Sequence, residues 1–271
     1  MLRTLLAPNP SPMTLDGTRT FVVGERSPVV IDPGPALPAH LDALLAALGG
    51  RRPAAILLTH AHADHAEAAP LLAERTGAPV MMARGSAHLP FDPARVARWL
   101  EGGETVESDA GALEAVPTPG HSPDHLSFLW KEPQRPGRTV LFVGDLLMGQ
   151  GDTTLVAPPE GDLAAYLASL DRVAGRSPDR LLPAHGPEIA DAAAALARYR
   201  AHREQRIAQV VEALGRTGPA RPRELLDAVY GDALHPALRP AAEGSLLAIL
   251  GYLRSAGRAA ARLDGTFTLT E

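Results

Sequence analysis

Through most of the chain, apolar positions come in short runs separated by polar or glycine-rich breaks. Phe21–Val23 and Val29–Asp32 flank Gly24-Glu25-Arg26-Ser27-Pro28, which predicts a hairpin. Pro38 to Leu48 carries helical spacing and stops at Gly49-Gly50. Ala54–Thr59 is continuously apolar and then turns polar, the pattern of a buried strand ending in a functional loop. A helix over Ala66–Arg75, stopped by Gly77, and a strand at Pro79–Ala83 follow. Further strands are expected at Leu113–Val116, Leu126–Trp130, Thr139–Val143 and Arg180–Leu182, with a helix at Leu163–Val173. A long helical pattern from Glu188 to Leu214 is broken by Gly215, Gly218, Pro219 and Pro222. Beyond it, helices at Arg223–Val229 and Ala241–Ala256 and a hairpin around Asp264-Gly265 read as a winged-helix module.

Composition narrows the class. A chain of 271 residues with 45% hydrophobic and 21% charged residues is an ordinary globular protein. No apolar run reaches the roughly 20 residues of a membrane span, and the start lacks the apolar stretch of a secretory signal, so the expected address is the cytoplasm. With no Cys, disulfides, thiolate catalysis and Cys-based zinc sites are excluded. The net charge of −5 does not advertise a nucleic-acid protein. Lys131 is the only lysine, so Arg supplies nearly all the positive charge.

The decisive window is Thr59-His60-Ala61-His62-Ala63-Asp64-His65. His60 and His62, two apart in an extended loop, can point to one side, while Asp64 and His65 face a second position where the chain turns into a helix. One loop thus offers two adjacent sets of N/O ligands, suited to Zn²⁺ and also to Fe or Mn. Two ions need more ligands than this, and three later residues at strand ends fit. They are His121 in Pro119-Gly120-His121-Ser122, Asp145 in Val143-Gly144-Asp145 and His185 in Pro183-Ala184-His185-Gly186. Asp32, in Ile31-Asp32-Pro33-Gly34, reads either as an Asx turn or as an acceptor that fixes a ligand histidine's tautomer. Asp124 and His125 are read as structural or rim residues. His40, His88, His202 and His235 are read as surface or helix residues, and Trp99 and Trp130 as core.

This set resembles the metallo-β-lactamase superfamily, whose ligands come from H-x-H-x-D-H, a later His, a later Asp and a last His. The resemblance implies an α/β fold, a four-layer αβ/βα sandwich with metals in a cleft at one edge of the sheets. It places His60, His62 and His121 on one metal, Asp64, His65 and His185 on a second, Asp145 between them, and Asp32 behind a ligand. Asn9-Pro10-Ser11-Pro12-Met13-Thr14-Leu15-Asp16-Gly17-Thr18, Gly120-His121-Ser122-Pro123-Asp124-His125, Pro183-Ala184-His185-Gly186-Pro187 and His202-Arg203-Glu204-Gln205-Arg206-Ile207 are similar to the lactamase-beta-like protein 2 family. That likeness implies a catalytic domain over residues 1–205 and a winged-helix-like domain over 206–271. Arg19, where relatives commonly carry Asn, and the stretch Gly149–Thr154 depart from the pattern and bear on the cleft rim and substrate preference.

The expected chemistry is a dinuclear hydrolase: two divalent ions, Zn²⁺ first, hold a bridging hydroxide that Asp64 orients for attack on a carbonyl or phosphorus centre. The resemblance points to single-stranded RNA as substrate. Hydrolysis of small thioesters, esters or lactones is the nearest alternative, and a mononuclear iron persulfide dioxygenase is a further one. Residues 203–271 hold nine Arg against eight Asp and Glu, which is no strong basic patch. Such a tail suits nucleic-acid contact, with Arg254, Arg258 and Arg262 as candidates, and equally a wall over the cleft or a homodimer contact.

Overall fold

The computed structural model describes residues 1–135, 137–231 and 234–270. Its first sheet has six strands in chain order: β1 (Leu2–Leu6), β2 (Arg19–Val23), β3 (Val29–Ile31), β4 (Ala55–Leu57), β5 (Val80–Ala83) and β6 (Val96–Leu100). β1 to β3 are antiparallel, and β3 to β6 are parallel. Parallel neighbours need crossovers. Helix α1 (Pro38–Leu48) joins β3 to β4, and α2 (Ala63–Ala66) with α3 (Ala69–Thr76) joins β4 to β5. The second sheet runs β11 (Arg180–Pro183), β10 (Thr139–Gly144), β9 (Leu126–Lys131), β8 (Gly111–Pro117) and β7 (Thr105–Ser108). Helix α4 (Leu163–Arg176) links β10 to β11, which pair in parallel.

Three apolar clusters make the layers. Phe21, Ile31 and Leu57 of the first sheet meet Phe128, Trp130 and Phe142 of the second in the central one. Leu44, Leu48 and Leu72 cover the outer face of the first sheet. On the outer face of the second sheet, α4, α5 (Ala192–Thr217) and α7 (Arg239–Ser255) pack together through Tyr166, Tyr199, Val210 and Leu246. This is the four-layer αβ/βα arrangement expected from the resemblance.

The C-terminal part holds α6 (Leu226–Tyr230), α7 and the pair β12 (Ala259–Ala261) and β13 (Phe267–Leu269). The boundary drawn between 205 and 206 falls inside α5, whose Leu196, Ile207 and Leu214 belong to one continuous cluster. No helix among the described residues is long and apolar enough to cross a membrane.

Several elements differ from the pattern-based expectation. The helix expected over Ala66–Arg75 is two: Pro70, which lacks an N–H, is tolerated only in the first turn of α3. The chain breaks around Glu67-Ala68, and α2 begins early enough to carry Asp64 and His65. α5 begins at Ala192, where the Asp191 carboxylate accepts from Ala194 N–H at 2.9 Å. β1, β6 and β7 had no counterpart in the pattern. They lie at or next to sheet edges, and polar residues interrupt their apolar alternation.

Candidate metal centre

Sheet direction gathers the chemistry. β3 and β4 are parallel, so Asp32 and the Thr59–His65 loop leave the first sheet at one edge. β10 and β11 are parallel with Gly144 beside Pro183, so Asp145 and His185 leave the second sheet together. β9 runs antiparallel to β10, which brings the loop before Leu126, with His121, to the same edge. Gly144 lies at φ +50, and a Cβ there would come within 2.8 Å of both His125 and Thr59. Gly120, at φ +139, packs against Tyr166 with no room for a side chain.

The seven expected donors converge. His62 Nδ1 lies 2.9 Å from His60 Nε2 and 3.0 Å from His121 Nε2. Asp64 Oδ2 lies 3.2 Å from His185 Nε2 and 3.4 Å from His65 Nε2. Asp145 sits between the sets: Oδ1 is 3.2 Å from His185 and 3.4 Å from His65, while Oδ2 is 3.6 Å from His121. Donor atoms of His60-His62-His121, His60-His65-Asp145 and Asp64-His65-His185 each fall within 4.8 Å of one another.

Each outer imidazole nitrogen has its own anchor. His60 Nδ1 meets Thr59 Oγ1 at 3.0 Å, His121 Nδ1 meets Leu155 O at 2.7 Å and His185 Nδ1 meets Gly17 O at 3.1 Å. Asp32 serves His65 Nδ1 at 2.9 Å and also accepts from the N–H and the hydroxyl of Thr59, both at 2.7 Å. His62 Nε2 meets Glu160 Oε2 at 3.0 Å. The inner nitrogens therefore face one another, and buried His65 Nε2 and Asp145 Oδ1 make no hydrogen bond. A donor set of imidazoles and carboxylates with orphaned atoms pointing inward fits divalent metal ions.

The electrostatics divide the cluster. Burial, with His65 and His121 nearby, pushes His60 well below its ordinary value; burial likewise lowers His121. Burial alone would raise Asp64, but His65 and His185 bring it down to about 2. Asp145 is driven low despite its burial by His185 and His65. Burial would lower His185, yet Asp145 and Asp64 lift it to about 9, and the surrounding carboxylates raise His65 in the same way. Divalent cations bound there would take over the positive charge that protons on His65 and His185 otherwise supply.

Other expectations resolve differently. His40 is the helix residue of the two alternatives, not the surface one: it lies in α1, buried, with Nε2 2.9 Å from Thr20 Oγ1. His125 is structural. Its Nδ1 meets Thr118 Oγ1 at 2.8 Å, its Nε2 accepts from Asp145 N–H at 3.1 Å, and burial, with His121 nearby, lowers it to about 3. Asp124 is buried, and burial raises its carboxyl. His88 and His235 are exposed, whereas His202 is half-buried and faces the cavity described below. Trp130 is core; Trp99 is only partly buried, under Arg84. Arg19 pairs with both Asp16 oxygens, at 2.9 and 2.7 Å, and does not line the cavity. Arg254, Arg258 and Arg262 are exposed and do not line it either.

The sequence pattern did not single out Glu160, and it named Thr18 only within the N-terminal motif, with no role at the centre. Glu160 lies 98 residues from its partner His62, and no spacing links the two. Thr18 Oγ1 lies 3.4 Å from Asp64 Oδ2 and accepts from Asn9 Nδ2 at 2.9 Å, while Asn9 Oδ1 accepts from Thr18 N–H at 2.9 Å. The N-terminal motif therefore braces the centre. The donors open onto a cavity of about 470 Å³ that also touches Thr153, Thr154 and Leu155 after the Gly149–Thr154 departure begins.

Comparison with known proteins agrees with this geometry. The chain is 33% identical over 255 residues to the lactamase-like protein adaB of Aspergillus niger, covering 87% of this chain and 76% of that protein. It is 32% identical over 261 residues to an atrochrysone carboxyl ACP thioesterase of Aspergillus chevalieri, covering 91% and 80%. A beta-lactamase domain protein from Burkholderia ambifaria shares the fold, with TM-score 0.84 and 23% identity over 99% of this chain and 91% of that one. TTHA1623, solved in a di-iron-bound form, aligns with TM-score 0.54 and 30% identity over 73% of this chain and 98% of its own. A family model described as the metallo-beta-lactamase superfamily matches residues 14–185, and the chain belongs to that superfamily.

Proposed function

We propose that this enzyme hydrolyses acyl thioesters at a two-metal centre held by His60, His62 and His121 on one side, Asp64, His65 and His185 on the other, and Asp145 between. The observation that carries the reading is the opening of the donor cluster onto a largely apolar cavity, suited to an acyl group. Support also comes from the relative named as an ACP thioesterase, and neither that protein nor adaB is named for RNA. The single-stranded RNA expected from the sequence therefore gives way to its thioester alternative.

Bound divalent ions would supply Lewis acidity and lower the pKa of water towards about 7. Zn²⁺ and iron both suit this donor set, and the di-iron form of TTHA1623 makes iron a serious candidate. Asp64 presents its carboxylate to the cavity, where it can accept a hydrogen bond from the attacking water and orient it towards the acyl carbon. Thr18, His185 and His65 around Asp64 Oδ2 restrict the carboxylate's rotation. Water oxygen joins the acyl carbon as the water's protons pass to solvent, one of them by way of Asp64. The C–S bond breaks with its electron pair going to sulfur, and a carboxylate and a thiolate leave, the thiolate being stable enough to need no strong proton donor. Residues 206–271, read as a winged-helix-like unit, act here as a wall of the cavity.

The test is a side-by-side assay of metal-loaded protein on acyl-N-acetylcysteamine, S-lactoylglutathione, a homoserine lactone, nitrocefin and single-stranded RNA. The thioesters should turn over fastest. Cleavage of RNA with thioesters left intact would sink the reading.

A further inference from the structure

The cavity extends from the donors to the C-terminal helices. Tyr230, Leu234, Leu238, Ala242 and Ile249 form that part of its wall. On α7, positions 241, 242, 245 and 249 fall on one face, and Ala241, Ala242 and Ser245 are small enough to leave space beside the helix. A volume of about 470 Å³ holds on the order of fifteen groups of water size at about 30 Å³ each.

The charges along the cavity decide what fits. Its cations besides the donor histidines are Arg203 and Arg206, with His202 between helix and cavity. Arg203, only 3% exposed, donates to Thr154 O and lies over the Tyr166 ring. Arg206 lies 4.6 Å over Tyr230 and donates to Gln209 at 2.9 Å, to Val229 O at 2.8 Å and to His202 at 3.3 Å. Arg206 spends its donors on the protein's own groups, and Arg203 is buried over Tyr166 with its Nε left unpartnered, so the two brace the wall more than they invite a polyanion. Among the described residues, no carboxylate other than Asp64 and Asp145 lines the space. The surface left to a ligand is mainly aliphatic and aromatic.

We infer that this wall is an acyl-binding site that selects a bulky apolar acyl group, with Ala242 and Leu238 setting its size. The inference rests on the thioesterase reading for its substrate and on the cavity alone for its occupant. An acyl chain would lie along α7 with its thioester carbonyl at the donors. Each added methylene should then raise kcat/KM about fourfold until the space is filled.

The experiment uses the metal-loaded full chain and acyl-N-acetylcysteamine thioesters from acetyl to decanoyl. Wild type should favour octanoyl over acetyl by at least tenfold. Ala242→Phe, which fills the space, should lower that octanoyl-to-acetyl ratio at least tenfold. Leu238→Ala removes an exposed wall side chain and serves if the Phe variant does not fold; it should lower the ratio about threefold. A flat series in wild type, or equal proportional losses on both substrates, would overturn the inference. In parallel, a dansylated undecanoic acid is titrated by fluorescence, which needs no turnover. Saturable binding that weakens at least tenfold in Ala242→Phe and about threefold in Leu238→Ala supports the site even if no thioester is hydrolysed, in which case the thioesterase reading alone fails. Absence of saturable binding, like a flat series, overturns the site.

Discussion

The donor cluster and the apolar wall border the same cavity, yet they are built on opposite principles. In the cluster each imidazole is fixed from behind: by Asp32, by Glu160, by the carbonyls of Gly17 and Leu155, and by Thr59. The wall has few directional contacts and relies on the size and spacing of side chains from α6 and α7. Chemistry needs donors held to fractions of an ångström, whereas an apolar ligand needs only volume. The cluster should therefore respond to single atoms, and the wall to changes in bulk.

Removing two donors tests this most severely. His60→Ala with His62→Ala takes two imidazoles from one set, and metal content should fall from about two ions per chain while thioester turnover drops below detection. Full metal content in that double variant, measured by elemental analysis, would break the assignment. Asp64→Ala should lower kcat by two to four orders of magnitude with KM changed only a few-fold, since the carboxylate orients water besides donating to metal. A near wild-type kcat after metal is restored would remove that role.

Glu160→Gln sharpens the comparison within the cluster. It keeps the shape and removes the charge behind His62, so metal affinity should fall about 10- to 100-fold by calorimetric titration of the metal-free protein. An unchanged affinity would mean that the Glu160 contact is incidental. On stability the contrast reverses to favour the central core. Trp130→Ala, in the layer between the sheets, should cost about 3–5 kcal/mol, while Leu238→Ala at the partly exposed wall should cost under about 1 kcal/mol, both read from denaturant unfolding.

The smallest effect lies far from the cavity. The N–H groups of Arg26, Glu25 and Ser27 donate to the Asp109 carboxylate and hold it near 2, below its ordinary 3.8. A depressed carboxyl stabilises the fold above its ordinary value and loses that contribution as pH falls through the lowered one. The stability gap between wild type and Asp109→Asn should thus be constant above about pH 4 and shrink towards pH 2. A gap that is flat to pH 2 would contradict the sign.

All seven side chains that converge at the sheet edge were legible because their chemistry is written locally, as His and Asp at short spacing or beside Gly at strand ends. Asp32 is left open by its local sequence and placed behind a ligand only by the resemblance; its contact with His65 Nδ1 agrees with that placement. Glu160 was not legible, because its partner His62 is brought to it by the packing of two separate loops. His40 reads as a surface or helix residue and is a helix residue, but its burial against Thr20 was not legible, because no local pattern announces that contact.

Periodicity by itself gave most of the strands and covering helices, and donor spacing gave the side chains able to bind metal, because apolar spacing and donor spacing are properties of neighbouring residues. The two-sheet sandwich followed only from the family resemblance that the donor motif carries. The tertiary structure alone decided which outer partner fixes each imidazole and that α6 and α7 turn an apolar wall towards the donors. It also brought Arg203 and Arg206 of that wall into the service of the protein's own carbonyls, rings and amides. Those features depend on where distant segments meet. A substrate pocket is a volume enclosed by several elements at once, and such a volume exists only after they have packed.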